Sequence, residues 1–148
     1  MPAIHLNIAP GGALLLAHIG VSLPRLNALT AAGVPVPPTA TGTFLLDTGA
    51  SCTCVDPALL STLGLQPTGR ALISTPSTAG QPHHCNQYDI SIFIPANSPT
   101  PGGHLVPALP VVETHLRSQG IDGLIGRDVL DNCTFIYNGS ARMFTLAY

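Results

Sequence analysis

The amino-acid sequence predicts a mainly β protein assembled from many short strands. Glycine and proline contribute 15 residues each to a chain of 148, a density that suits frequent turns and works against long helices. The apolar runs are of strand length and stop abruptly at turn residues, as in residues 4–8, 13–21, 43–46 and 88–94. Hydrophobic residues make up 45% of the chain and charged residues 8%, the balance of a sequence that buries a core rather than one that stays disordered.

The length corresponds to one domain, residues 1–148. Five arginines, no lysine and seven acidic residues give a formal charge of −2, which offers no electrostatic footprint for nucleic acid or an anionic membrane surface. The apolar stretch at 13–21 is interrupted by His18 and is far shorter than the ~20 residues of a spanning helix. No Lys or Arg precedes it, so it does not read as an export signal. Without export, a cytoplasmic location with four reduced cysteines is expected.

Taken in order, residues 4–8 alternate apolar with polar, Pro10-Gly11-Gly12 breaks the pattern, and residues 13–21 resume it, which reads as two strands. Residues 22–41 hold Val34-Pro35-Val36-Pro37-Pro38 and read as a long surface loop with a short helical turn at 26–31. Residues 43–46 form a buried strand that delivers Asp47 into a tight turn. Asp56-Pro57 then opens a short helix over 58–63 closed by Gly64, with a capping carboxylate, proline at the first position and glycine past the end. Residues 71–75 and 88–94 predict the arms of a projecting hairpin, with Gly80 supplying backbone freedom near its tip. A Pro/Gly-rich loop at 95–103 leads to a strand at 105–112 and a short helix at 113–119. A helical turn at 127–130 precedes strands at 134–137 and 142–146, joined by Asn138-Gly139, the dipeptide of tight hairpins with positive φ at both central positions.

The chemistry concentrates in two motifs. Phe44-Leu45-Leu46-Asp47-Thr48-Gly49-Ala50-Ser51 resembles the active-site turn of aspartic proteases, and Leu124-Ile125-Gly126-Arg127 downstream resembles the hydrophobic-hydrophobic-Gly-Arg element that packs beneath it. With one Asp-Thr-Gly in the chain, the resemblance is to the retropepsin-like branch, closer to bacterial and cellular members than to viral ones. It implies a closed, barrel-like lobe with a flap hairpin and a homodimer that hydrolyses peptide bonds. Asp47 and its symmetry mate would form the catalytic dyad, two carboxylates ~3 Å apart sharing one proton. Thr48 would bond across the interface, and Gly49 would admit substrate backbone. Ala50 and Ser51 complete the turn, and Ala50, where some relatives carry a hydroxyl residue, implies activity at mildly acid pH. Ser77, Thr78, Ala79 and Gly80 fall where the family has its flap. Viral relatives place an acid at the position of Ser51 to pair with the motif's arginine, so Arg127 must find another partner, with Asp56 and Asp128 the candidates. The apolar end, residues 143–148, would interleave with residues 4–8 of a partner.

Other readings are weaker. Asp-Thr-Gly alone also suits an ordinary turn, and Leu124-Ile125-Gly126 alone suits core packing. Cys52, Cys54 and His83-His84-Cys85 supply ligand-type residues without paired zinc-ligand spacing, so no metal or cofactor is expected. Tyr88 reads as core. Two alternatives to a free-standing endopeptidase stay open: a catalytically silent peptide-binding or scaffolding module of the same fold, and a protease that processes a retroelement polyprotein.

Overall fold

The computed structural model describes residues 1–74, 80–97 and 102–148. Its strands are β1 (Ala3–Asn7), β2 (Leu14–Val21), β3 (Ala40–Leu46), β4 (Cys54–Val55), β5 (Gly69–Ile73), β6 (His83–Pro95), β7 (Gly103–Glu113), β8 (Gly123–Ile125), β9 (Thr134–Asn138) and β10 (Met143–Ala147). The helices are α1 (Leu23–Ala31), α2 (Pro57–Leu60) and α3 (Arg127–Leu130), with 3-10 turns at Ser61–Leu63 and Arg117–Gln119.

Six strands, in the order β2-β3-β8-β4-β7-β6, form a sheet that closes on itself where β6 pairs back onto β2. Closure removes the open edges that a flat sheet of this composition would leave to aggregate. Alternation along β2 sends Leu15, Ala17, Ile19 and Val21 inward. Phe44, Ile90, Ile92, Ile94, Val111 and Ile125 meet Leu15, Ala17 and Ile19 in one core. The β6–β7 register shifts between Ile90 and Ile92, which leaves Pro107 outside the paired positions, while Pro110 stands opposite Asp89. Among the described residues β5 pairs with β6 alone and hangs outside the ring, so a hairpin is present, but its return arm is residues 83–87 and not 88–94, which belong to the barrel through pairing with β7 and β2. Of its expected tip, Gly80 takes a φ of +79°, while Ser77, Thr78 and Ala79 lie outside the described residues.

Several expectations are corrected. Residues 23–31 form a full helix, started by Pro24 in its first turn, and none of its residues is buried. β7 runs on through Glu113, and only Arg117–Gln119 is helical, ended by Gly120 at φ +79°. Strands β4 and β8, too short to show periodicity, exist through their neighbours: β8 pairs in parallel with β3 and antiparallel with β4. The β9–β10 connection is a wider turn in which Asn138 Oδ1 accepts from Ser140 Oγ at 2.8 Å and Ala141 N at 3.0 Å. Positive φ falls on Arg142, at 52°, and not on Asn138 or Gly139.

The largest correction concerns the chain ends. β1 pairs with β10 of its own chain, Ile4 opposite Leu146, and β9 covers the other side of β10. Ile4, Phe144 and Leu146 are thereby buried within one copy. Both edges of β10 are thus occupied within one copy, and the strand beside it is the chain's own β1 where the sequence led us to expect residues 4–8 of a partner.

Asp56, 3% exposed, joins two segments. Its Oδ1 caps α2 by accepting from Ala58 N at 2.9 Å, and its Oδ2 accepts from Leu116 N at 2.7 Å and Arg117 N at 3.0 Å. Burial pushes this carboxyl upward, but the three backbone donors and the charge of Arg117 outweigh it, and its pKa is lowered below 3.8. A lowered folded-state pKa contributes stability that is complete above the unfolded value and is lost as pH falls through the folded one. Asp56→Asn is therefore expected to cost about 2 to 3 kcal/mol at neutral pH in urea unfolding. The gap to wild type should narrow as the solution is taken below pH 3.8.

Candidate active site

Asp47 leaves the barrel at the C-terminal end of β3, where Leu46 pairs with Ile125 of β8. The strand end is held on two sides: Leu46 N donates to Ala13 O and Asp47 N to Ile125 O, each at 3.0 Å. The carboxylate then shapes its own turn. Gly49 N donates to Asp47 Oδ1 at 2.8 Å and Ala50 N to Asp47 O at 3.2 Å. A side chain at residue 49 would start 3.1 Å from that same carboxylate oxygen, which accounts for the glycine. Asp47 and Ala50 are half-buried, while Thr48, Gly49 and Ser51 are exposed, so the turn lies open at the surface of the single copy.

The Leu124-Ile125-Gly126-Arg127 element lies directly against this turn. A methyl group on Gly126 would sit 2.6 Å from the Cys52 carbonyl, so the two backbones touch there. Arg127 N donates to Ala50 O at 3.0 Å, and Arg127 Nη1 to Thr48 O at 2.9 Å. The partner of Arg127 is thus the turn's own backbone and neither Asp56 nor Asp128. The guanidinium satisfies a carbonyl inside the turn, and no acid at position 51 is required.

Two residues outside the motifs complete the frame. Asp128 Oδ2 accepts from Thr53 N and its Oδ1 from Thr53 Oγ1, both at 2.8 Å, with a third bond from Val129 N at 3.0 Å. Thr53, fully buried, in turn accepts Gly126 N on its hydroxyl at 3.2 Å. A lone threonine between Cys52 and Cys54 in an apolar stretch was the available signal, but its partner lies too far along the chain for spacing to reveal.

Beside the turn is a second apolar cluster. Cys54, Val112, Leu116 and Ile121 are buried in it, with Ala71 and Ile73 of β5, Cys85 of β6, and Cys52, Leu45 and Leu124 packed around them. It forms a wall between the Asp47 turn and the inner face of the β5–β6 hairpin. Burial pushes the Cys54 thiol up to about 11 and raises that of Cys85, leaving both protonated and poorly nucleophilic at neutral pH. All four cysteines are unbridged. Tyr88 is buried and donates to Glu113 Oε2 at 2.9 Å. Among the described residues, no three His, Cys, Asp or Glu side chains are arranged to hold a metal ion, and no helix is long and apolar enough to cross a membrane.

Comparison with known proteins agrees with this geometry. Residues 29–129 match the family model described as aspartyl protease, and the chain belongs to that family. Among solved structures, the crystal structure of a retropepsin-like aspartic protease from Rickettsia conorii matches with a TM-score of 0.60 at 15% identity. That match covers 99% of this chain and 90% of the other, and it gives this chain a retropepsin-like fold. No curated protein sequence matches.

The Thr53–Asp128 pair is expected to set the turn's order. Asp128→Ala leaves the buried Thr53 N–H and hydroxyl without an acceptor and should cost about 2 to 4 kcal/mol in denaturant unfolding. Asp128→Asn, which can still accept one of these bonds, should restore more than half of the loss.

Proposed function

We propose that this chain is an aspartic endopeptidase that works as a symmetric homodimer. The observation that carries the reading is that Asp47 stands on an exposed turn while the acids nearest it along the frame are already committed. Asp56 is held by three backbone donors, Asp122 accepts from Thr43 N and Arg117 Nε, and Asp128 is taken by Thr53 and Val129. A second carboxylate for a shared-proton dyad has to come from Asp47 of another copy.

In such a dimer one Asp47 is ionised and its twin holds the proton, because adjacent anions split their titration. The ionised carboxylate takes a proton from a water whose oxygen attacks the scissile carbonyl carbon, and the twin donates its proton toward the developing oxyanion. Collapse of the tetrahedral intermediate breaks the C–N bond, with a proton delivered to the leaving amine. Thr48 and Gly49, both exposed, are placed for contact with the second copy and with substrate backbone. The β5–β6 hairpin would serve as the flap, and an extended peptide would lie between it and the turn as an added strand. Unbridged thiols suit a reducing, cytoplasmic setting.

Because β10 is enclosed, the two copies would meet along other surfaces. β9 is one of the two edge strands of its sheet, and it carries Ile136 and Tyr137, each 55% exposed, an apolar edge of the kind that association covers.

The test is cleavage of an unbiased peptide library at mildly acid pH by wild type and Asp47→Asn in parallel. Cuts made by wild type alone support the reading, and at least a hundredfold loss of rate is expected in the variant, an order-of-magnitude figure for removing an acid–base group. Retention of a peptide ligand by both proteins without any cut would instead favour a silent binding module. Ile136→Asp should shift the dimer toward monomer in analytical ultracentrifugation and reduce specific activity more steeply on dilution than wild type. An unchanged dimer in that variant would remove β9 from the interface.

A further inference from the structure

We propose that the β5–β6 hairpin carries a second peptide-binding site along the open edge of β6, taking an acidic, extended segment of the protein substrate away from the bond being cut. The inference rests on the endopeptidase reading for its role and on independent geometry for its location.

The location follows from strand pairing. β6 pairs with β5 over His83–Gln87 and with β7 only from Gln87 onward, opposite Val112. Over residues 83–86, β6 therefore has a strand neighbour on one side alone among the described residues, and its other edge is open to an added strand. A cavity of about 300 Å³ lies along this stretch, bounded by Arg70, His83, His84 and Asn86 on the hairpin and by Glu113 and His115 where β7 ends.

The cavity adjoins the wall beside Asp47 through Cys85, which borders both. Ala71 and Ile73 pack into that wall, so alternation puts His83 with Cys85 on the wall's side of the strand and Arg70, His84 and Asn86 on the opposite face, and the cavity wraps the open edge between them. Register agrees, with Arg70 directly across from Asn86 and Leu72 across from His84.

The chemistry of the cavity favours a carboxylate. Its rim holds one guanidinium, three imidazoles and an amide, and the single acid is already held from below: Glu113 Oε2 accepts from Tyr88 OH at 2.9 Å and from Asn86 Nδ2 at 3.3 Å. Arg70, His83, His84 and His115 are exposed, leaving donors turned to solvent beside an unpaired strand edge. An extended peptide whose alternate side chains are Asp or Glu would pair its backbone with residues 83–86 and set its carboxylates among these donors.

Binding is measured on the full chain carrying Asp47→Asn, so that loss of hydrolysis and loss of binding are read separately. The probe is a short fluorescein-labelled peptide with Glu at alternate positions, beside a counterpart with Lys, followed by anisotropy at low ionic strength. The Glu peptide is expected to bind at least about tenfold tighter than the Lys peptide, and Arg70→Glu or His115→Glu to erase the preference with the circular dichroism spectrum unchanged. N-methylation of one alternate set of peptide amides should weaken binding by about tenfold and methylation of the other set should not, because an added strand turns only every second amide toward its neighbour. Equal binding of Glu and Lys peptides, or a preference that survives both charge reversals, overturns the proposal. Equal tolerance of both methylation patterns overturns the added strand. On active wild type, joining the acidic tract to a cleaved peptide should lower KM with kcat unchanged, and Arg70→Glu should abolish that gain. A tract that binds yet leaves KM unmoved would overturn its role in substrate capture. Absence of any cleavage, with tract binding intact, would instead count against the endopeptidase reading alone.

Discussion

The carboxylate of Asp128 holds together two stretches that the chain itself keeps far apart. Its oxygens accept the amide and the hydroxyl of Thr53, and that hydroxyl passes the restraint on to Gly126 N. The segment leaving the Asp47 turn is thereby fastened to the start of α3 by a chain of bonds around a fully buried threonine. A half-satisfied network at this depth would be worse than none, and here every member has a partner. The close backbone contact at Gly126, and the reach of Arg127 to the Thr48 carbonyl, both depend on this fastening. An exposed carboxylate on a turn is otherwise free to wander. On this frame Asp47 is delivered in a defined place, which is the condition for any chemistry that needs two such groups to meet.

The same economy appears at the scale of the barrel. Few charged side chains are available, and the structure places them at junctions between segments. Asp56 joins α2 to the stretch at Leu116 and Arg117, and Asp122 joins that stretch to Thr43 of β3 while pairing with Arg117. Each acid answers backbone amides that no strand or helix satisfies, so irregular segments around the site are held as firmly as regular ones.

What could be read in advance was the part written in contiguous residues. The buried strand ending in Asp47, the Asp56-Pro57 helix start and the alternation along β2 and β6 all follow from local pattern, and the two motifs located the site through a family resemblance. What escaped was long-range. β4 and β8 are too short to show a period and exist only because each finds a neighbour. Arg127 answers a carbonyl rather than an acid, and a carbonyl leaves no mark in a sequence. At Asn138-Gly139 the preferred two-residue turn lost to a wider one in which the Asn138 side chain bonds two residues ahead and Arg142 takes the left-handed position. The pairing of β1 within its own chain illustrates the same limit, since an apolar terminal strand announces that it must be covered without saying by what.

The pairing of β1 with β10 also bears on how the protein is made. Ala3 lies opposite Ala147, and Tyr148 N donates to Pro2 O at 3.1 Å, so β1 has no strand neighbour until β10 has been made. Ile4, among the most deeply buried side chains, stays unpacked until residues 143–147 are available to pair with β1. Completion of this sheet is therefore a late, non-local event, slower than closure of local hairpins such as β6–β7. Until then β1 is an apolar strand without a neighbour, which makes the interval before β10 docks the one in which a holding chaperone matters most.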